Sequence, residues 1–433
     1  MVQAVRVSRT GLPVDVVLLG FVLFLVVSAS NVLTPLLPLV QREFGIDYAA
    51  AGAVVSSFAV ARLALDLPAG FLEDRLGARR LAALGFVSSL LGALVAATGP
   101  SLPLVVVGRV AMGLGTSIVS VVVLTTLGRR APPEARSRVL AVYPMANNSA
   151  ISVFPAVGGF VGSLWGWRST MLLCAALTLI AALLLARLLG GGMHEAQASS
   201  SGSADGGRRS AVGDARPTAA GAAAGASSTA RPGRWSLVGL GLLYLGVVIF
   251  MINRHGFRNT ALPLFAHDRI GLDPVQIASG ITLMAVVGLI VAIPGAMVAD
   301  RWGRRRVIAV GFVLVALGDL AFLGATSYVS YLLAAFAVGI GDFFSASQTA
   351  LLAESVPPAW RNRVLAGYRF GADLGGTVGP VFLATLLQVA GFEAMLLVIS
   401  SLLLLAGLGA ALGGLAPRRH GLARSDQLAG RAA

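Results

Sequence analysis

A chain of 433 residues with 56% hydrophobic and only 12% charged residues lacks the charged surface that two or three soluble domains require, and it reads as a membrane protein. The formal charge of +14 would suit a nucleic-acid binder, but every basic residue is arginine and most fall in short stretches between apolar runs, on alternate sides, so no nucleic-acid partner is implied. The lone Cys174 lies inside an apolar run, which excludes a disulfide framework and a paired-cysteine metal site.

A helix that crosses ~30 Å of hydrocarbon needs roughly 20 apolar residues. The first such run covers 14–38, behind Arg6 and Arg9; it is too long for the apolar region of a cleavable leader and predicts an uncleaved helix. Further helices are predicted over 49–71, 80–99, 103–127, 139–163 and 169–189, which makes residues 1–189 a six-helix bundle. Residues 190–235 are rich in Gly, Ala and Ser, show no apolar period and predict a flexible cytoplasmic linker. Helices over 236–258, 274–298, 307–326, 330–355, 364–389 and 394–415 make 236–415 a second six-helix bundle, followed by a tail over 416–433. The expected fold class is therefore an all-α integral membrane protein with twelve transmembrane helices. One side of this layout collects most of the arginines, while the other holds Arg42, Arg168, Arg258 and Arg269. The positive-inside rule puts the arginine-rich side, both termini included, in the cytoplasm. Abundant Gly, Ala and Arg with no Lys suggests a high-GC bacterial genome, and so a plasma membrane.

The halves echo each other. PAGFLEDRLGARR, from Pro68 to Arg80, returns as PGAMVADRWGRRR from Pro294 to Arg306, and PPEARSRVLAVY, from Pro132 to Tyr143, returns as PPAWRNRVLAGY from Pro357 to Tyr368. Gly113 and Gly115 correspond to Gly339 and Gly341, and Pro38 to Pro263. Since each half has six helices and starts on the same side, the repeat is parallel, about an axis along the membrane normal. Gly77 allows a tight reversal between helices 2 and 3, and the flanking arginines suit an anionic headgroup zone. Asp74 works against that charge asymmetry and needs a cation or a helix N-terminus nearby.

In Gly70, Asp74, Arg75, Gly77, Arg79 and Arg80 the chain resembles the major facilitator superfamily of secondary transporters, whose loop between helices 2 and 3 carries this signature. Asp300, Arg301, Gly303, Arg304 and Arg305 repeat it, with Ala296 at the leading glycine position. The resemblance implies that, when the inner gate is shut, Asp74 latches the halves against helix 11 near Arg363, and Asp300 against helix 5 near Arg138; setting topology alone is the other reading. Arg109, Met112, Gly113 and Gly115 resemble a helix 4 pattern of proton-coupled members, and helix 10 has Ala335 in place of the arginine. Phe154, Pro155, Gly158 and Gly159 resemble part of the helix 5 motif of drug:proton antiporters, and Gly375, Gly379 and Pro380 supply the other part on helix 11. Proline bends and close small-residue crossings serve any rocking bundle, so the glycines and prolines also read as packing residues.

An ionisable group at the bilayer centre costs roughly 2.5–3.5 kcal/mol on insertion scales, so each one asks for a partner or a task. Asp66, Asp319, Asp342 and Asp373 stand against Arg62, Arg109, Arg254 and Arg369 inside the predicted helices, a balance that suggests internal pairing. Arg62 with Asp66, and Arg369 with Asp373, are four apart and share a helix face. Asp66 is the first candidate for proton coupling, with a static ion pair as the alternative, and Asp342 is the second, as a proton or cation site. The resemblance places Asp319 on an outer, supporting helix. In NRHGFRN, Asn253–Asn259, Gly256 permits a helix break. Arg254 either meets an anionic solute or reaches for headgroups, and Arg258 is expected to reach the outer headgroups. Asn31, Asn147 and Asn148 either line a cavity or bond across helices.

The function expected is a secondary transporter that moves a small organic molecule by alternating access, as proton-coupled export of amphipathic compounds. Uptake or exchange of an organic anion is the alternative, favoured if the cavity is net cationic. A non-transporting receptor or scaffold ranks below both. His194, His255, His267 and His420 are scattered and no nucleotide-binding motif occurs, so neither an enzyme, a cofactor nor ATP as driving force is implied. The lipid bilayer and protons are the implied partners, and a monomer suffices for one complete pathway.

Overall fold

In hydrocarbon every backbone N–H and C=O must be satisfied within the segment, and the chain answers with helices. The computed structural model describes residues 13–66, 68–132, 135–200, 237–357 and 360–412, nearly all of them helical. Helix α1, Val14–Phe44, contains a 3-10 turn at Thr34–Leu36 where Pro35 withholds a backbone donor. Helix α2, Tyr48–Asp66, resumes as Pro68–Leu76; α3 is Ala78–Thr98, α4 Leu102–Arg130, α5 Arg136–Trp165 and α6 Trp167–Ser200. Helix α7 starts as Leu237–Ile252, widens into a π-helix at Asn253–Ala261 and finishes as Leu262–Ile270. Then come α8, Pro274–Trp302, α9, Arg304–Ala321, and α10, Tyr328–Gly341, which turns through Asp342–Phe344 into Ser345–Glu354. The stretch Arg361–Leu412 breaks at Gly391 into α11, 361–390, and α12, 392–412.

Among the described residues nine helical runs are long and apolar enough to cross a membrane; one of these holds both α11 and α12, and α10 is a shorter apolar helix. Large hydrophobic side chains on the outside, such as Phe71, Ile293, Val389 and Leu405, are more than half exposed, as a surface solvated by lipid tails requires.

The internal repeat is visible in the backbone. Positive φ occurs at Gly45 and Gly271, at Gly77 and Gly303, and at Gly166 and Gly391, three pairs at matching places in the two halves. At Gly77 (φ 78°) and Gly303 (φ 90°) the reversals of the twin arginine motifs demand glycine. Within the first half α1 packs on α5 and α6, and α3 on α4; within the second α8 and α9 pack on α10. The halves meet where α2 lies on α11 and α5 on α8, and the core around Phe257 and Leu262 takes in Leu37 and Ala51 from the first half.

Two boundaries differ from expectation. Gly256 does not break α7, because the wider π turn keeps the helix continuous. Helix α6 runs on to Ser200 through residues assigned to the linker, since HEAQASS contains neither Pro nor Gly. The rest of the linker from residue 201, the tail over 416–433, and Arg6 and Arg9 lie outside the described residues.

Candidate functional site

A cavity of about 300 Å³ lies between the two bundles. Asn31 of α1, Phe58 and Arg62 of α2, Arg109 of α4, Asn147 and Pro155 of α5, Met284 of α8, Asp342 after α10 and Asp373 of α11 all line it. Helix α7 contributes most: Met251, Arg254, His255, Arg258 and Asn259 face the cavity, while Asn253 and Phe257 between them are fully buried. The π turn explains this density, because its hydrogen bonds run from i to i+5 and fan neighbouring side chains differently from an α-helix. Thr260 Oγ1 donates to the His255 carbonyl at 3.2 Å, and Gly256 lets the backbone close on the Gly379 carbonyl oxygen.

The charges are held in different ways. Arg258 grips Asp342 with two parallel hydrogen bonds, Nη1 to Oδ2 at 2.5 Å and Nη2 to Oδ1 at 2.9 Å. This corrects the expectation that Arg258 reaches the outer headgroups: it is 5% exposed, and the bidentate carboxylate offsets the cost of taking it out of water. Asp319 is likewise no peripheral support; it has no exposed surface and accepts a hydrogen bond from Asn253 Nδ2. Arg109, 1% exposed, donates to the Ala29 carbonyl at 2.9 Å and sits 4.7 Å from the centre of the Phe58 ring. Arg62 and Asp66 do share a face, with Nε and Oδ2 3.9 Å apart, and Asp66 also accepts from Ser117. Arg62 lines the cavity and Asp66 does not.

The pairing of Arg369 with Asp373 is not found. Arg369 is exposed and forms no ion pair among the described residues, while Asp373 lines the cavity and acts electrostatically on Arg62 as well as Asp66 and Arg369. His255 stands in the field of Arg254, Arg62 and Arg258 at once. Asn259 Nδ2 donates to Asn31 Oδ1 at 3.3 Å and so joins the halves across the cavity.

In the twin loop motifs Asp74, Arg75, Arg79 and Arg80 are exposed, as is Arg301; Asp300 pairs with Arg304 at 3.3 Å, and Arg304 also meets Glu354 at 3.2 Å. Neither Asp74 with Arg363 nor Asp300 with Arg138 forms an ion pair here. Glu73, beside Asp74, escaped notice in the sequence: it is 3% exposed, accepts from Thr125 at 2.8 and 2.9 Å and pairs with Arg129. Its partners lie on α4, and no spacing within α2 reveals them.

Small residues make the crossings. Gly113 lies against the Phe58 carbonyl, Gly115 against Gly85, Gly339 near the Met284 carbonyl and Gly341 near Val315. Gly158 meets Val32 inside the first half, whereas Gly159 meets Pro274 and Ala278 of the second. Gly375 and Gly379 abut Val248 and Ile252 of α7, and the Pro380 carbonyl abuts Gly52.

Opposite the arginine-rich loops the halves are tied together. Tyr48 donates to Asp268 at 2.7 Å, the Ala49 N–H to Gln388 at 3.1 Å, Gln388 to Asp47 at 3.1 Å and Ser56 to the Thr377 carbonyl at 2.7 Å. Asp47 lies between α1 and α2; its bond from the Ala50 N–H, then that from Gln388, holds its carboxyl below the usual carboxylate range. On the arginine-rich side no ion pair joins the halves among the described residues. Nor is there a group of three or more His, Cys, Asp or Glu able to hold a metal among them.

A family description named Major Facilitator Superfamily matches residues 19–257 and 243–429. Multidrug resistance protein Stp of Mycobacterium tuberculosis is 29% identical over 35% of this chain and 28% of its own length. Drug efflux pump JefA of the same organism is 28% identical over 38% of this chain and 32% of its own length. The chain thus spans about a quarter to a third of the length of the curated relatives it first matches. The crystal structure of the peptide transporter POT in complex with sulfate has a TM-score of 0.69 at 16% identity, covering 94% of this chain and 95% of that one, a likeness of fold. Two repeated helical bundles around a shared cavity, with a family match across both, identify the chain as a member of the Major Facilitator Superfamily.

Proposed function

We propose that the chain carries a small organic anion across the membrane by alternating access, holding its acidic group between Arg62 and Arg254. The supporting observation is the charge of the cavity wall: four guanidinium groups, from Arg62, Arg109, Arg254 and Arg258, against the two carboxylates of Asp342 and Asp373. Arg258 is occupied by Asp342 and Arg109 is sealed by Ala29 and Phe58, which leaves Arg254, and Arg62 with only a 3.9 Å contact from its Nε to Asp66, to meet a solute. A cation at this depth needs an anion, and a planar carboxylate suits a guanidinium through two parallel bonds. Asn31, Asn147 and His255 add hydrogen bonds for the rest of the solute. With the arginine-rich side in the cytoplasm, the cavity opens inward in this state and both termini are cytoplasmic.

In this reading vesicles containing the protein exchange labelled p-aminohippurate, an aromatic carboxylate, and Arg254→Gln slows that exchange roughly tenfold or more, the effect of losing a charge-assisted hydrogen bond of about 1.5–3 kcal/mol. Exchange of ethidium alone, unchanged in Arg254→Gln, overturns the assignment.

A second reading, proton-coupled export of amphipathic compounds, draws on relatives named for multidrug resistance and drug efflux and on the apolar part of the wall, Val27, Phe58, Met251 and Met284. An amphipathic anion satisfies both readings, and direction of transport separates them.

A further inference from the structure

Behind the cavity wall lies a polar cluster that the transport site does not use. Asn253, the first residue of the π turn, and Asp319 on α9 are both without exposed surface, and Asn253 Nδ2 donates to one carboxylate oxygen of Asp319. The two remaining oxygens, Asn253 Oδ1 and Asp319 Oδ1, are buried and have no hydrogen-bond partner among the described residues. While Asp319 is ionised both are acceptors, and neither can satisfy the other. One proton on Asp319 Oδ1 supplies a donor facing a carboxamide acceptor. Acid and amide then close a ring of two hydrogen bonds, and both buried oxygens are satisfied.

Charge points the same way. The charged groups acting on Asp319 are Arg258 of α7 and Asp342 after α10. From α12, packed on α9, the only ionisable side chain within 392–412 is Glu393, which is exposed and paired with Arg269. Arg258 is already committed to Asp342, so the buried trio carries one net negative charge with Asp319 ionised and none with Asp319 protonated.

We propose that Asp319 is the coupling-proton site of this transporter, protonated and locked to Asn253 in the state described here. Loading forms one O–H bond on Oδ1 with a proton drawn from water, and release returns that proton and leaves a buried carboxylate. Arg258, which acts on both acids, then turns to Asp319 and leaves Asp342 uncompensated in the cavity wall. The added negative charge expels an anionic solute, so proton and anion travel in the same direction. The direction rests on the anionic reading of the cavity; the proton site stands without it.

The test compares Asp319→Asn with Asp66→Asn, whose carboxylate lies outside the cavity lining, in vesicles with p-aminohippurate as probe. An inward proton gradient should drive accumulation in the parent and in Asp66→Asn. Asp319→Asn, a permanent mimic of the protonated form, should lose accumulation but keep exchange at equal concentrations. Accumulation that survives in Asp319→Asn, loss of exchange in a folded Asp319→Asn protein, or accumulation driven by sodium at constant pH overturns the proposal. Infrared spectra give a reading that needs neither that variant nor any transported solute: the parent at neutral pH should show the carbonyl band of a protonated carboxylic acid, displaced by Asn253→Ala. A missing band, or one that Asn253→Ala leaves in place, also overturns it. If no anion moves while the band behaves as expected, the anion assignment fails and the proton site remains.

Discussion

Glu73 shows how a residue beside a recognisable motif can outweigh the motif's exposed members in stability. Asp74 and Arg75 are solvated, while Glu73 is buried among Thr125 and Arg129 at the end of α4. Replacing Glu73 by Gln keeps the shape but removes the charge that both partners address, and charge-assisted bonds contribute roughly 1.5–3 kcal/mol. The purified Glu73→Gln protein should therefore unfold at a clearly lower temperature than the parent, whereas Asp74→Asn should not; equal melting of Glu73→Gln and parent would make the cluster incidental. Which charges sit inside the membrane was legible from the sequence, since Arg62, Arg109, Arg254, Asp319 and Asp342 stand out in apolar runs. Apart from Asp66 four residues after Arg62, their partners were not. Arg258 meets Asp342 across 84 positions, and only the packed fold shows that this arginine turns inward.

At the scale of helices, twin motifs and apolar runs announce the bundles, and the glycines and prolines announce close crossings. The rotation of a helix that is apolar on every side leaves no trace in its periodicity. Hence the sequence could not tell that of two adjacent glycines on α5, Gly158 packs inside its own half and Gly159 against the other. A side chain at Gly159 would stand 2.7 Å from the Pro274 carbonyl oxygen, and one at Gly158 would stand 2.9 Å from the Val32 carbonyl carbon. Overpacking of this kind costs about 1–3 kcal/mol. Gly159→Val should therefore push α5 from α8 and favour the state open opposite the arginine-rich loops, while Gly158→Val should lower stability without that shift. Thiol labelling of a Tyr48→Cys background reads the difference, with the native Cys174 fully buried. Equal labelling in the two glycine variants would show that Gly159 does not control the closure.

Across the whole molecule the two halves share their turns and differ in their charges: Arg109 faces Ala335 in the repeat, and Arg62 and Asp66 correspond to Gly288 and Ala292. The charged residues of the proposed site thus sit where the symmetry fails. The hydrogen bonds between the halves from Tyr48, Ala49 and Gln388 gather at one end, while among the described residues the twin arginine loops at the other end make ion pairs only within their own halves. Alternating access requires that the closed end open during every cycle. Acid alone is a weak lever on it: the depressed Asp47 carboxyl keeps its bonds from neutral pH downward and loses them only as pH falls through its lowered value. A covalent tie is a stronger one. Tyr48→Cys and Asp268→Cys, joined by a short reducible bifunctional thiol reagent, should stop p-aminohippurate exchange completely, and reduction should restore it. The same reagent should bridge Asp74→Cys and Arg363→Cys less efficiently in this state, because the two positions form no ion pair with each other. Exchange that continues in the fully joined Tyr48→Cys, Asp268→Cys protein would mean that the contacts around Tyr48 do not have to part during transport, and the moving gate would then have to lie elsewhere along α2 and α11.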